Sequence, residues 1–244
     1  MDFISDLHLS PDLPQTLAAL QQYLGATTAD AVFILGDLFE AWVGDDSVAL
    51  PFEAQCVALL AASARQRPLC VMCGNRDFLL GMGFFQATGA IDLPDPVALN
   101  APGISNDPVL LSHGDALCLD DTAYQQFRAQ VRQPAWQQAF LTKPLAERQA
   151  IGAQMRAASR AHQQSAKPIT YADADPALAQ QWLAEAGTKT LIHGHTHRPQ
   201  SEQRAEGWTR HVLSDWDCDH ATPPRAEVLR WSAQGFTRLA PTAV

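Results

Sequence analysis

Five short segments of the chain end in residues able to bind metal ions: Asp6-Leu7-His8, Gly36-Asp37, Gly74-Asn75-Arg76-Asp77, His113-Gly114-Asp115 and Gly194-His195-Thr196-His197. Carboxylates, an amide oxygen and imidazoles form a mixed oxygen and nitrogen donor set that suits Mn²⁺, Fe²⁺ or Zn²⁺. No cysteine falls in these motifs, which argues against a soft-metal thiolate site. Asp6, His8, Asp37, Asn75, His113, His195 and His197 are seven candidate ligands, too many for one ion. They fit two ions sharing a carboxylate, the arrangement that clamps attacking and leaving oxygens in phosphoryl displacement. A lone Asp-x-His or a lone histidine is more often structural; the weight lies in five such ends in one chain, each after an apolar run.

Those apolar runs are the elements that must position the ligands. MDFIS at 1–5, AVFIL at 31–35, LCVMC at 69–73, VLLS at 109–112 and TLIH at 190–193 read as strands. Between them lie stretches of helical period, about Pro14 to Leu24 with Leu17, Leu20 and Leu24 on one face, and about Pro51 to Arg65. Further strands are predicted near 210–214 and 226–231. This alternation predicts an α/β fold, in which ligands bind beyond the carboxyl ends of strands, so residues distant in sequence converge there. Asp6 with His8, and His195 with His197, are two apart, which in extended chain projects each pair from one face. Cys70 and Cys73 form a CxxC inside an apolar run; on a strand they point to opposite faces, so they read as buried structural thiols.

Charge is distributed unevenly. The whole chain carries 17 Lys and Arg against 26 Asp and Glu, a formal net charge of −9, which excludes a general nucleic-acid coat. Yet residues 121–168 hold seven basic residues (Arg128, Arg132, Lys143, Arg148, Arg156, Arg160, Lys167) against Asp121 and Glu147. A basic island in an acidic protein points to an anionic partner met at one place, or to a solvated helix face. Tyr124, Phe127 and Val131, then Trp136 and Phe140, then Ile151, Met155 and Ser159 mark three helices, with Pro134 and Pro144 as punctuation. We read 121–168 as a helical insertion over a single domain spanning 1–244. The odd count of five cysteines and the absence of a basic-then-apolar start lead to the expectation of a reducing cytoplasm. No run reaches the length of a membrane span.

FISDLHL, ILGDLFEAWVGDD, GNRDFLLG, SHGD and HGHTHRP together resemble the calcineurin-like metallophosphoesterase superfamily, and the longer forms GDLFEAWVGDD, GNRDFLLG and HGDALCLDD resemble its UDP-2,3-diacylglucosamine hydrolase branch, in lipid A biosynthesis. The likeness runs from Met1 to about Pro199. It implies a four-layer α-β-β-α sandwich of two facing mixed sheets with a helical cap. It further implies that Asp6, His8, Asp37 and His197 hold one Mn²⁺ and that Asp37, Asn75, His113 and His195 hold the other, with Asp37 bridging. The implied reaction is attack of metal-bound hydroxide on the α-phosphorus of UDP-2,3-diacylglucosamine, giving UMP and 2,3-diacylglucosamine 1-phosphate at the cytoplasmic face of the inner membrane.

Position 76 adds an independent inference. Many members of the superfamily carry histidine after the asparagine, where it can protonate an alkoxide leaving group; this chain has Arg76. Arginine stays charged and cannot act as a general acid, but its fork fits phosphate oxygens. A sugar phosphate leaving group, with a second pKa near ~6, needs no proton. Asp37, Asn75, Arg76 and His195 are therefore the expected catalytic set. The resemblance places substrate contacts at Asn75, Arg76, Asp121, Tyr124, Ser159, Gln163, Lys167 and His195, Gln163 or Gln164 standing for the family's Asn. Arg156, from the basic island, is added as a diphosphate contact. Trp136, Phe140, Leu141, Leu145, Ile151 and Met155 could line an acyl groove or pack the cap. The basic and aromatic mixture also suits peripheral contact with anionic lipid. Oligomeric state is open, with a monomer expected. The rival readings are another dinuclear phosphodiesterase acting on small nucleotides and a non-catalytic scaffold on the same fold.

Overall fold

A computed structural model describes residues 1–165 and 173–244, with side chains for 1–159 and 173–244. Its first sheet has the order β11-β10-β1-β2-β3-β4 and its second β5-β6-β7-β9-β8. The first contains β1 (Asp2–Ile4), β2 (Val32–Leu35), β3 (Leu69–Met72), β4 (Ile91–Leu93), β10 (Val228–Ser232) and β11 (Gly235–Leu239). The second contains β5 (Val97–Leu99), β6 (Val109–Ser112), β7 (Thr190–His193), β8 (Gln200–Gln203) and β9 (Thr209–Val212). Strands β1 to β4 are parallel to one another, as are β6, β7 and β9, while β10 pairs antiparallel with β1 and β11, β5 with β6, and β8 with β9.

Alternation along each strand builds the layers. Phe3, Phe33, Leu35, Cys70 and Met72 from the first sheet meet Val109, Leu111 and Ile192 from the second in one buried cluster between the sheets. Their strand neighbours Ile4, Val32, Ile34, Leu69 and Val71 face outward to helices α1 (Pro14–Ala26), α2 (Pro51–Ala64) and α3 (Met82–Thr88). Leu110 and Leu191 face the opposite way, onto Ala179 and Leu183 of α7 (Pro176–Glu185). The period of two thus sorts each strand between two cores, giving the expected α-β-β-α sandwich of two mixed sheets. Cys70 joins the inter-sheet cluster and Cys73 packs on the other, as the i to i+3 spacing predicts. Between β6 and β7 stand α4 (Thr122–Val131), α5 (Pro134–Leu141) and α6 (Leu145–Ser165), in the insertion expected at 121–168.

At the end of the first sheet away from the ligand loops, Asp2 is wholly buried. It accepts from Arg230 Nε at 2.7 Å and a terminal nitrogen at 2.8 Å, from Thr27 Oγ1 at 2.7 Å and from Tyr23 Oη at 3.0 Å. Burial alone would raise this carboxyl, but the Arg230, Thr27 and Tyr23 hydrogen bonds outweigh it and hold the group below its ordinary value. The stability it contributes is fully present above the unfolded carboxylate pKa of about 3.9 and is lost as pH falls through the lower folded value. Asp2→Asn is therefore expected to cost about 2 kcal/mol at neutral pH, with the gap to wild type closing below pH ~4, in denaturant melts across pH.

Candidate metal centre

Four of the five ligand loops are laced in pairs by backbone before any side chain is considered. Asp6 N donates to Gly36 O at 3.1 Å and His8 N to Asp37 O at 3.0 Å, while Gly194 N donates to His113 O at 3.0 Å. The sheets are joined across the site by His195 N, which donates to Asp6 Oδ2 at 3.0 Å, and by Trp216 N, which donates to Asp6 O at 3.0 Å. Close approach requires glycine at Gly36, where φ is +89° and a Cβ would lie 2.4 Å from His113 Nδ1.

One expectation changes. Strands β1 and β7 end at Ile4 and His193, so neither ligand pair sits in extended chain. Asp6 (φ 55°), His8 (49°), Asp37 (54°), His195 (65°) and His197 (52°) instead adopt left-handed backbone, and among the described residues no other non-glycine residue does. Asp and His tolerate this region better than most residues, but each such site still costs of order 1 kcal/mol or more and persists only where the surroundings enforce it. The fold concentrates that strain on five of the seven candidate ligands.

Side chains gather in two halves. In one, His197 Nε2 lies 3.3 Å from Asp6 Oδ1 and 3.3 Å from His8 Nε2. In the other, Asn75 Oδ1 lies 2.9 Å from His113 Nε2 and 2.8 Å from His195 Nδ1. Asp37 stands between them, Oδ1 3.7 Å from His113 Nε2 and Oδ2 3.9 Å from His8 Nδ1. Asp6, His8 and His197, and likewise Asp6, Asp37 and His113, place one ligand atom each within 4.8 Å of one another. Burial pushes the Asp37 carboxyl up to about 7 against the pull of His113 and Arg76. Burial opposes ionisation of Asp6 too, but His197 prevails and holds it well below the usual carboxylate range. Burial, then the charge on His113, drives His195 down to about 3. Buried carboxylates beside imidazoles, with His8 Nδ1 buried and without a hydrogen bond, suit divalent cations.

Residues 2–199 match the calcineurin-like phosphoesterase family. The chain is 48% identical over 221 residues to a UDP-2,3-diacylglucosamine hydrolase of Chromobacterium violaceum, covering 88% of this chain and 89% of that protein. It belongs to the calcineurin-like phosphoesterase family. Proteins of the same hydrolase name from Bordetella pertussis (45% over 231 residues, 91% and 87% covered) and Xanthomonas campestris pv. campestris (45% over 245 residues, 96% of each) agree. The resemblance read from the motifs holds, at branch as well as superfamily level.

Within this phosphoesterase site Arg76 is distinctive. Its backbone N donates to Asp37 Oδ1 at 2.8 Å and its Nε lies 3.5 Å from Asp37 Oδ2, yet its guanidinium makes no hydrogen bond among the described residues. The basic island behaves differently. Arg156 donates to Glu40 Oε1 at 2.8 and 2.6 Å, and Arg148, buried, donates to Val43 O and Asp46. Lys143 pairs with Glu147, Arg128 with Asp115, and Arg132 donates to Gly74 O. All five of these cations are therefore engaged within the chain.

Other expected contacts have structural occupations as well. Asp121 caps α4, accepting from Tyr124 N at 3.0 Å, and Tyr124 Oη donates to Asp115. Ser159 is half-buried on α6. The side chains of Gln163 and Gln164, and Lys167 altogether, lie outside the described residues. Of the apolar candidates, Phe140 is buried and Trp136, Leu145 and Ile151 pack against the core cluster that holds Trp42 and Val43, whereas Leu141 is exposed. Trp136 and Phe140 stack at 4.9 Å.

Several supporting residues escaped the sequence reading. Asp77, buried, accepts from Leu38 N and Gly74 N at 2.7 Å each and so binds two ligand loops together. Leu35 O lies 2.9 Å from His113 Nδ1, leaving Nε2 for the site. Asp215 Oδ2 lies 3.7 Å from His197 Nδ1 and is itself held by Arg225. Asp77 stood within a quoted motif; Asp215, beyond β9, carried no signal.

Proposed function

We propose that the chain is a UDP-2,3-diacylglucosamine diphosphatase of lipid A biosynthesis, releasing UMP and 2,3-diacylglucosamine 1-phosphate with the aid of two Mn²⁺. The carrying observation is that all seven ligand positions are present and converge in a chain 48% identical to a protein of that hydrolase name. Asp6, His8, Asp37 and His197 hold one ion, and Asp37, Asn75, His113 and His195 the other; Asp37 directs one oxygen to each half. Two such ions supply positive charge for phosphoryl oxygens and acidify water.

The chain's own residues do the rest. Arg76, whose guanidinium lies against Asp37 without a hydrogen bond to it, receives the oxygens of the diphosphate and holds the α-phosphorus in place by its fixed charge. It cannot donate a proton, and the departing sugar phosphate does not need one. Asn75 and His195 border the same phosphate. Residues 121–168 act as a cap on a single domain, with Asp121, Tyr124 and Ser159 as substrate contacts, joined by Gln163 and Lys167 on the strength of the resemblance; for Arg156 to reach the diphosphate it must leave Glu40. A Mn²⁺-dependent assay tests this directly: UMP release from UDP-2,3-diacylglucosamine should greatly outpace hydrolysis of a bis-aryl phosphate, and the reverse order would contradict it.

Peripheral contact with the cytoplasmic face of the inner membrane completes the proposal. Among the described residues no helix is long and apolar enough to cross a membrane. Co-sedimentation with anionic vesicles at low salt, lost at high salt, is the expected result. A protein left wholly in the supernatant at low salt would contradict surface binding.

A further inference from the structure

The face of α4 that carries Tyr124, Arg128 and Arg132 has the spacing i, i+4, i+8, so the three side chains lie in one row. All three converge on Asp115, which is wholly buried. Tyr124 Oη donates to Asp115 Oδ2, Arg128 Nε donates to the same oxygen at 2.8 Å, and a terminal nitrogen of Arg132 lies 3.8 Å from it. Gln125, on the same helix, donates through its amide to the Asp115 carbonyl at 2.8 Å. A buried carboxylate met by two guanidiniums and a phenol is a charge-assisted cluster, so Arg128 and Arg132 are not free surface cations.

What this row touches besides Asp115 gives it a purpose. The Tyr124 ring lies 5.9 Å from the His195 ring, tilted by 31°. Arg132 donates to Gly74 O at 2.9 Å, the carbonyl directly before Asn75, and its guanidinium lies over the Phe78 ring at 5.6 Å. Asp115 is two residues beyond His113. One helix face thus binds the loops that carry Asn75, His113 and His195, the three side chains that gather at Asn75 Oδ1. Among the described residues no hydrogen bond or ring contact from α4 reaches Asp6, His8 or His197.

We infer that Asp115, with Tyr124, Arg128 and Arg132, is a positioning cluster for one half of the metal centre, so that docking of α4 sets the affinity of the ion held by Asn75, His113 and His195 while leaving its neighbour alone. The inference rests on the dinuclear reading of the site. It assigns α4 a part in building the site and leaves phosphate binding to residues outside the row.

Mn²⁺ titration followed by the electron paramagnetic resonance of the free ion tests it without reference to turnover. Wild type is expected to take up two ions per chain. Asp115→Asn, which keeps shape and removes charge, should retain one ion unchanged and weaken the other by roughly tenfold to a hundredfold, the usual cost of losing support behind a ligand. Raised Mn²⁺ should then restore kcat. Arg132→Gln, a milder lesion in case Asp115→Asn does not fold, should weaken the same ion by less. Fewer than two ions in the wild type would overturn the dinuclear reading and this inference with it. Two ions in the wild type, with both held as tightly in the variants or both weakened in parallel with the melting temperature, would overturn the inference alone.

Discussion

Asp37→Ala is expected to lower kcat/KM by roughly 10³-fold or more, the scale on which loss of one preorganised electrostatic group already acts, and to remove at least one bound metal ion. Asp37 is 2% exposed and faces both halves of the site. Its loss would also release Arg76, whose backbone N it accepts. Elemental analysis with steady-state kinetics checks the effect. Full turnover with two ions still bound would remove Asp37 from the proposed role.

Arg76 should give a large loss of a different kind. Arg76→Ala is expected to reduce kcat/KM by about 10² to 10³-fold while metal content stays at the wild-type value, since the guanidinium lies beside Asp37 without being a ligand. Arg76→Lys should recover little, because a single ammonium cannot present the paired donors that fit two phosphate oxygens. Kinetics on the diphosphate substrate alongside metal analysis separates the cases. An Arg76→Lys variant of wild-type efficiency would show that only net charge matters there.

Much of this architecture was legible because the strands that carry the ligands are buried on both faces. Such strands must be apolar throughout, so VFIL and LCVM stand out, and the residues that follow each one stand out in turn. Helices α1 and α2 were legible from their starts, each with proline in the first turn. Edge strands were not: β4 and β5 have three residues each and β8 reads QSEQ, because a half-exposed edge needs no apolar pattern.

At the site, residue types and order were readable but the way they converge was not. Spacing of two suggested a shared face of extended chain, whereas the backbone turns left-handed at Asp6, His8, His195 and His197 just after each strand. No local pattern encodes a conformation that the surrounding loops impose. The ion pairs of the island were hidden for a related reason. Arg128, Arg148 and Arg156 look like a basic surface in the sequence because Asp115, Asp46 and Glu40, their partners, lie elsewhere along the chain and arrive only through the fold. Arg76, outside the island, lies against Asp37 in the site and its guanidinium makes no hydrogen bond among the described residues.

Hydrolysis of UDP-2,3-diacylglucosamine in oxygen-labelled water, followed by mass analysis of both products, is the most direct test of the proposed reaction. Attack at the α-phosphorus, with the sugar phosphate leaving unprotonated from a site centred on Arg76 and Asp37, predicts label in UMP alone. Label in 2,3-diacylglucosamine 1-phosphate, or no UMP formed, would contradict it.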